Sequence, residues 1–168
     1  MNLKILDQRL TDRLVRWGKP QLRLWQIVAG NGMWLLALAA TILVGSGRLH
    51  VLHLFLPLLL AYATTLALQN IIGLERPRTE LVSDYKLWYR TFSSPSAHAM
   101  TSAAYATVLA GAAVGGLGAR LVLICFLAIL TVLIGISRIV VGVHYFFDVL
   151  LGLFLGLVFG LGYILALM

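Results

Sequence analysis

The stretch SRIVVGVHYFFD, residues 137–148, lies between two long apolar runs of the chain. It places an arginine, a histidine and an aspartate where apolar helices are predicted to end or begin. Two other stretches have the same setting: QNIIGLERP, residues 69–77, and PSAH, residues 95–98. Polar residues beside membrane spans are costly to keep, so the three stretches predict a functional site at the membrane.

The composition around these stretches indicates an integral membrane protein. Of the 168 residues, 61% are hydrophobic and only 11% are charged, whereas a soluble domain carries roughly 25% charged residues. The pattern predicts an all-α bundle of about five transmembrane helices. The fourth apolar run is the shortest, near the lower limit of roughly 17 residues for a span. The five runs are residues 27–47, 51–72, 97–117, 120–136 and 145–168.

The runs leave no room for a second domain, so residues 1–168 are predicted to form one unit, with the bundle over 27–168. Residues 1–24 precede the bundle. The helical spacing of leucines from Leu3 to Leu14 predicts that this segment is an amphipathic helix. This pattern is typical of a helix in the membrane interface, and a helix packed against the spans fits it equally well. The net charge of +7 favours anionic lipid headgroups as partners, and no nucleic acid is expected.

Counting spans predicts the orientation of the site. All three polar stretches and the amino terminus fall on one membrane face, and that face carries ten Lys and Arg residues outside the spans against two on the other. By the positive-inside rule, we expect the site to face the cytoplasm of a bacterial inner membrane. The ten are Lys4, Arg9, Arg13, Arg16, Lys19, Arg23, Arg76, Arg78, Lys86 and Arg90, and the two are Arg48 and Arg120.

The PSAH stretch predicts an anion site at the start of a helix. Pro95 fits the first helical position, with Ser94 as its cap. The free N–H groups of that first turn and the hydroxyl of Ser96 would donate to an anion, and the small Ala97 would let it approach the backbone. His98 follows directly, in reach of the same place.

His144 and Asp148 are four residues apart, so they would share one helical face if the last helix began near residue 144. A carboxylate accepting from one ring nitrogen leaves the lone pair of the other free to attack phosphorus. The alternative is a buried pair that only joins two helices. Arg138 is predicted to be a bidentate phosphate ligand, and Arg76 either a ligand or a headgroup anchor.

Together the three stretches resemble the signature of the type 2 phosphatidic acid phosphatase superfamily, KxxxxxxRP, PSGH and SRxxxxxHxxxD, which the vanadium haloperoxidases share. The resemblance implies that His144 forms a phosphohistidine, that Asp148 orients it, and that His98 protonates the leaving group and then activates water. It implies no metal or other cofactor. The phosphate ligands that it implies are Arg76, Ser96, Ala97, Arg138 and the residue at the lysine position, Gln69.

This sequence departs from the signature at two positions. Ala97 replaces a glycine, and Gln69 replaces the lysine. An amide donates a hydrogen bond but does not neutralise charge, so the second change matters more. Either Lys86 or Arg90 compensates as a headgroup contact, or the substrate binds differently, or turnover is low.

The predicted function is a metal-independent membrane lipid phosphatase. Its expected substrate is phosphatidylglycerol phosphate, phosphatidic acid or a polyprenyl phosphate or diphosphate. The alternatives are a lipid phosphotransferase on the same scaffold and a non-catalytic lipid-binding or transport protein. The intact histidines and aspartate argue against the latter, because binding alone needs no nucleophile.

Glycines in the last run recur at four-residue spacing at Gly152, Gly156 and Gly160. Such a ridge permits close helix approach. The alanine-rich third run is its predicted partner, and a homo-oligomer formed through the last run is a further expectation.

Overall fold

The computed structural model describes residues 3–47, 49–77, 92–113 and 115–168. These residues contain helices and no strand, which confirms the predicted all-α class. A short 3₁₀ turn, Lys19–Gln21, separates the first two helices at Pro20. The third helix is capped at its carboxyl end by Gly73, which has a left-handed φ of 64°. The helices are α1 (Leu3–Gly18), α2 (Leu22–Gly45), α3 (Leu52–Ile72), α4 (Ala97–Gly111), α5 (Leu117–Val140) and α6 (Phe146–Leu167).

Helices α2 to α6 correspond one to one with the five predicted apolar runs. Within the described ranges, four helical stretches are long and apolar enough to cross a membrane, namely the α1–α2 stretch, α3, α5 and α6. The helix that contains the fourth run is not the shortest, because α5 has 24 residues. The short helix is α4, with 15 residues, of which ten are buried. It therefore forms the centre of the bundle, where its neighbours shield it from lipid.

The glycine ridge of α6 packs against α4, as the sequence predicts. A Cβ atom at Gly152 would lie 2.8 Å from the carbonyl oxygen of Ser96, and one at Gly160 would lie 2.7 Å from that of Ala104. A Cβ at Gly156 would collide with the Met100 carbonyl. Because α4 covers this face, the ridge is not available to a second copy. Homo-oligomerisation stays a prediction and would need another face of α6.

Helix α1 packs against α5 and α6. Its buried face consists of Thr11, Val15 and Gly18, and Gly18 lies directly against the side chain of Val140. The basic side chains of α1 are exposed, and they are Lys4, Arg9, Arg13 and Arg16. The helix thus buries one face against the spans while its cations remain accessible to headgroups.

Candidate active site

The three polar stretches meet at one end of the bundle, as the span count predicts. The Arg76 guanidinium donates to the carbonyl of Val143 over 2.9 Å, which joins the chain after α3 to the turn before α6. The backbone N–H of Ser96 donates to the Asp148 carbonyl over 3.0 Å, which joins the PSAH stretch to α6. Residues far apart in sequence therefore form one site.

The PSAH stretch begins its helix later than predicted. Helix α4 starts at Ala97, and Ser96 is its N-cap in an extended conformation, so Pro95 and Ser94 precede the helix. The Ser96 side chain is fully buried, makes no capping hydrogen bond and has no other partner among the described residues. A buried hydroxyl without a partner costs about 1–3 kcal/mol. The Ser96 hydroxyl lies beside the first amides of α4, where it is well placed to donate to an anion.

His144 lies in the turn before α6, which begins at Phe146, so helical spacing does not set its position. Its Nδ1 lies 2.8 Å from the carbonyl oxygen of Ser93, and its Nε2 lies 3.2 Å from Nη1 of Arg76. A carbonyl only accepts, so Nδ1 carries the hydrogen and Nε2 carries the lone pair. Burial and the charges of Arg76 and Arg138 hold the pKa of His144 well below its usual value, which keeps the ring neutral.

Asp148 does not bind the imidazole in the way the sequence predicts. Its Oδ2 is 3.9 Å from His144 Nδ1, too far for a hydrogen bond. That oxygen accepts instead from the Ser93 hydroxyl and, over 2.9 Å, from the backbone N–H of Tyr145. Ser93 is thus the link between the carboxylate and the histidine. Sequence reasoning missed it, and its position two residues before the PSAH stretch was the available signal.

The positive charge of the site comes from two arginines. Arg138 is 2% exposed and donates from Nη1 to the Ala29 carbonyl over 3.3 Å, which ties α5 to α2. Burial and the charge of Arg138 lower the pKa of Arg76, so the two guanidiniums are close enough to interact. The charges of Arg138 and Arg76 also act on His98, which is half-buried. Two guanidiniums close together favour an anionic ligand.

Gln69 is buried, at 1% exposure, and its Nε2 donates to the Pro95 carbonyl over 2.8 Å. Its Oε1 has no hydrogen-bond partner in the described part of the chain. The amide therefore holds the backbone next to Ser96. The proposed headgroup contacts Lys86 and Arg90 lie outside the described residues. Across the described ranges, no three His, Cys, Asp or Glu side chains cluster as they would around a metal ion.

Two comparisons with known proteins gave a match. The chain is similar in structure to a transmembrane PAP2-type phosphatidylglycerolphosphate phosphatase from Bacillus subtilis, with a TM-score of 0.74 and 24% sequence identity over 99% of this chain and 88% of the other. No curated protein matches the sequence at a significant level. The family model of the PAP2 superfamily matches residues 50–167, which include all three polar stretches and helices α3 to α6. The chain is therefore an integral membrane protein that belongs to the PAP2 superfamily.

Proposed function

We propose that this protein is a phosphatase that removes phosphate from a membrane lipid through a phosphohistidine on His144. One observation carries the proposal. The Nδ1 hydrogen of His144 is bound by the Ser93 carbonyl, and its Nε2 lies 3.2 Å from the Arg76 guanidinium. A neutral imidazole thus presents its nucleophilic nitrogen beside a group that binds phosphate oxygens.

In the first step, the Nε2 lone pair of His144 attacks phosphorus, so that an N–P bond forms and the P–O bond to the lipid breaks. The electron pair of that bond leaves with the lipid oxygen, which takes a proton from His98 in its imidazolium form, the form that the bound phosphate anion favours. Arg76, Arg138 and the Ser96 hydroxyl hold the other phosphate oxygens. Groups fixed before the reaction stabilise the developing charge without reorganisation.

In the second step, the now neutral His98 takes a proton from water as the water oxygen attacks phosphorus. The N–P bond breaks and its electron pair returns to Nε2, which releases inorganic phosphate and restores the starting state. The two guanidiniums supply the positive charge that the reaction needs, so we propose that turnover does not require a metal.

A lipid phosphate is the proposed substrate because the site lies at one end of an apolar bundle, where headgroups reside. Phosphatidylglycerol phosphate, phosphatidic acid and polyprenyl phosphate or diphosphate are the candidates. Phosphatidylglycerol phosphate comes first among them, because the similar Bacillus subtilis structure is that of a phosphatidylglycerolphosphate phosphatase.

The test is phosphate release by the purified protein from these lipids, with and without a chelator. We expect release that survives chelation, and acid-labile phosphate bound to the protein during turnover. His144→Ala should abolish both signals. The matched control is His50→Ala, which removes an exposed histidine before α3, at the other end of that helix from Gln69 and Arg76. Normal release by His144→Ala would overturn the mechanism.

We further propose that the site faces the cytoplasm, since the amino-terminal cations are exposed at the same end of the bundle. With Cys125 replaced by alanine, a cysteine is introduced at the exposed Gln8 in α1 or at the exposed Gly118 in α5. The second position has open space around its Cβ. In intact cells, an impermeant thiol reagent should label Gly118→Cys and spare Gln8→Cys. The reverse pattern would place the site outside.

A further inference from the structure

Helix α1 supplies hydrogen-bond acceptors to the first turn of α6. The backbone N–H of Phe146 donates to Oγ1 of Thr11 over 3.0 Å, and that of Phe147 donates to Oδ1 of Asp7 over 3.0 Å. The first N–H groups of a helix have no partner within the helix. Here a different helix, about 140 residues earlier in the chain, provides both acceptors.

These two acceptors are held in place. The Thr11 hydroxyl donates to the Asp7 carbonyl over 2.8 Å, so its lone pairs are directed at Phe146. Thr11 is 1% exposed, and Val15, one turn further on, is also 1% exposed. Helix α1 therefore cannot shift along α6 without breaking packed contacts.

The turn that α1 caps is the turn that carries Asp148. Asp148 is the third residue of α6, and its Oδ2 accepts from the N–H of Tyr145, directly before the helix. Its backbone carbonyl accepts from Ser96. A displacement of this turn would move the carboxylate away from Ser93 and hence loosen the bond that orients His144.

We propose that Asp7 and Thr11 are positioning residues for the Ser93–Asp148–His144 arrangement, an inference that rests on the proposed function. The amino-terminal helix is thereby part of the catalytic apparatus. The family match begins at residue 50, so neither residue belongs to the matched region or to the three signature stretches. The assignment follows from the two interhelical hydrogen bonds alone.

The kinetic test compares Asp7→Ala, Asp7→Asn and Thr11→Val. Loss of a helix-capping acceptor is expected to lower kcat about tenfold in Asp7→Ala and to leave KM within about twofold, because the phosphate ligands stay in place. Asp7→Asn keeps an acceptor oxygen and should retain kcat within about threefold. Asp12→Ala is the matched control, since it removes a carboxylate from the same helix that makes no hydrogen bond to α6 among the described residues.

A double-mutant cycle separates positioning from a general structural role. In an Asp148→Asn background, Asp7→Ala should cause little further loss, because its effect passes through that carboxylate. Full additivity, or a change confined to KM, would overturn the proposal. If Asp7→Ala does not fold, Thr11→Val, which removes the other acceptor, enters the same cycle and decides it.

Hydrogen exchange gives a readout that does not depend on activity. Amides at the start of α6 should exchange faster in Thr11→Val than in the wild type, while Asp12→Ala should leave them unchanged. If the wild type had no phosphatase activity but the variants showed this exchange pattern, the proposed function would be refuted and the contact of α1 with α6 would be retained. An active wild type with unchanged exchange and kinetics in the variants would refute the positioning role alone.

Discussion

Replacing Gln69 by lysine restores the cation of the family signature in a site that holds an amide. The structure shows which groups surround residue 69. Gln69 is 1% exposed and donates to the Pro95 carbonyl over 2.8 Å. Ser96, which follows Pro95, has a buried hydroxyl without a partner among the described residues. A lysine would keep a donor for Pro95 and add a positive charge next to the proposed phosphate position.

Two opposing effects follow. A charged donor contributes about 1.5–3 kcal/mol where a neutral one contributes about 0.5–1.5 kcal/mol, so binding of an oxyanion should strengthen by about 1 kcal/mol, or about fivefold. The ammonium would also be buried beside Arg76 and Arg138, while Asp148 is already bonded to Ser93 and Tyr145. Desolvation of the unpaired charge should cost at least about 2 kcal/mol and lower the Tm by about 4–8 °C.

The assay measures orthovanadate inhibition of phosphate release, together with the Tm with and without orthovanadate. Gln69→Lys should be less stable than the wild type, and orthovanadate should bind it more tightly and raise its Tm further. Gln69→Met is the control of similar length, which loses the Pro95 bond and gains no affinity. If Gln69→Lys matched the wild type in both inhibition and Tm, residue 69 would not face the oxyanion, and its role would be limited to holding Pro95.

Three further outcomes are expected. His98→Ala should slow release from an alkyl phosphate by about 10²- to 10⁴-fold and from an aryl phosphate much less, because only the poor leaving group needs the proton; equal losses would exclude His98 as the acid. The pKa of His144 lies below its ordinary value of 6.5, so the unfolded chain binds a proton that the folded chain does not, and stability should fall as the pH drops below 6.5. The loss should reach about 1.4 kcal/mol per pH unit for that group, and Tm measurements on His144→Gln should show a shallower fall; an unchanged slope would contradict the assignment. Gly156→Ala should destabilise the protein by about 1–3 kcal/mol because its Cβ meets the Met100 carbonyl, whereas Gly162→Ala, with open space, should not; similar Tm values for the two would contradict the packing.

Much of the fold follows from local sequence features. Apolar run length predicts the helices, and the parity of the spans places the three polar stretches at one end. The run lengths were less informative about which helix is central, since α4 begins with its apolar run at Ala97 but ends at Gly111, before the run does. Its burial depends on the glycine ridge of α6, which the four-residue spacing did predict. Periodicity thus identifies the contact faces, and hydropathy alone does not rank the helices by depth.

The parts of the site that the sequence does not predict involve backbone groups and distant segments. The Ser93 carbonyl accepts from His144, and any residue type at position 93 would offer a carbonyl. The side-chain oxygens of Asp7 and Thr11 accept from backbone amides of α6, and the sequence of α6 does not predict that contact. Residue types predict which side chains do chemistry, whereas the groups that orient them become visible only when the chain is folded.

Asp148 shows how closely folding and chemistry are joined in this site. Its side chain accepts from Ser93 and from the N–H of Tyr145, and its carbonyl accepts from Ser96. One residue therefore fixes the PSAH stretch, starts α6 and orients the histidine through Ser93. Because removal of the carboxylate leaves buried donors without their acceptor, Asp148→Ala should lose stability as well as turnover. Asp148→Asn keeps an acceptor oxygen, so a fall in its turnover at unchanged Tm isolates the electrostatic part of its role.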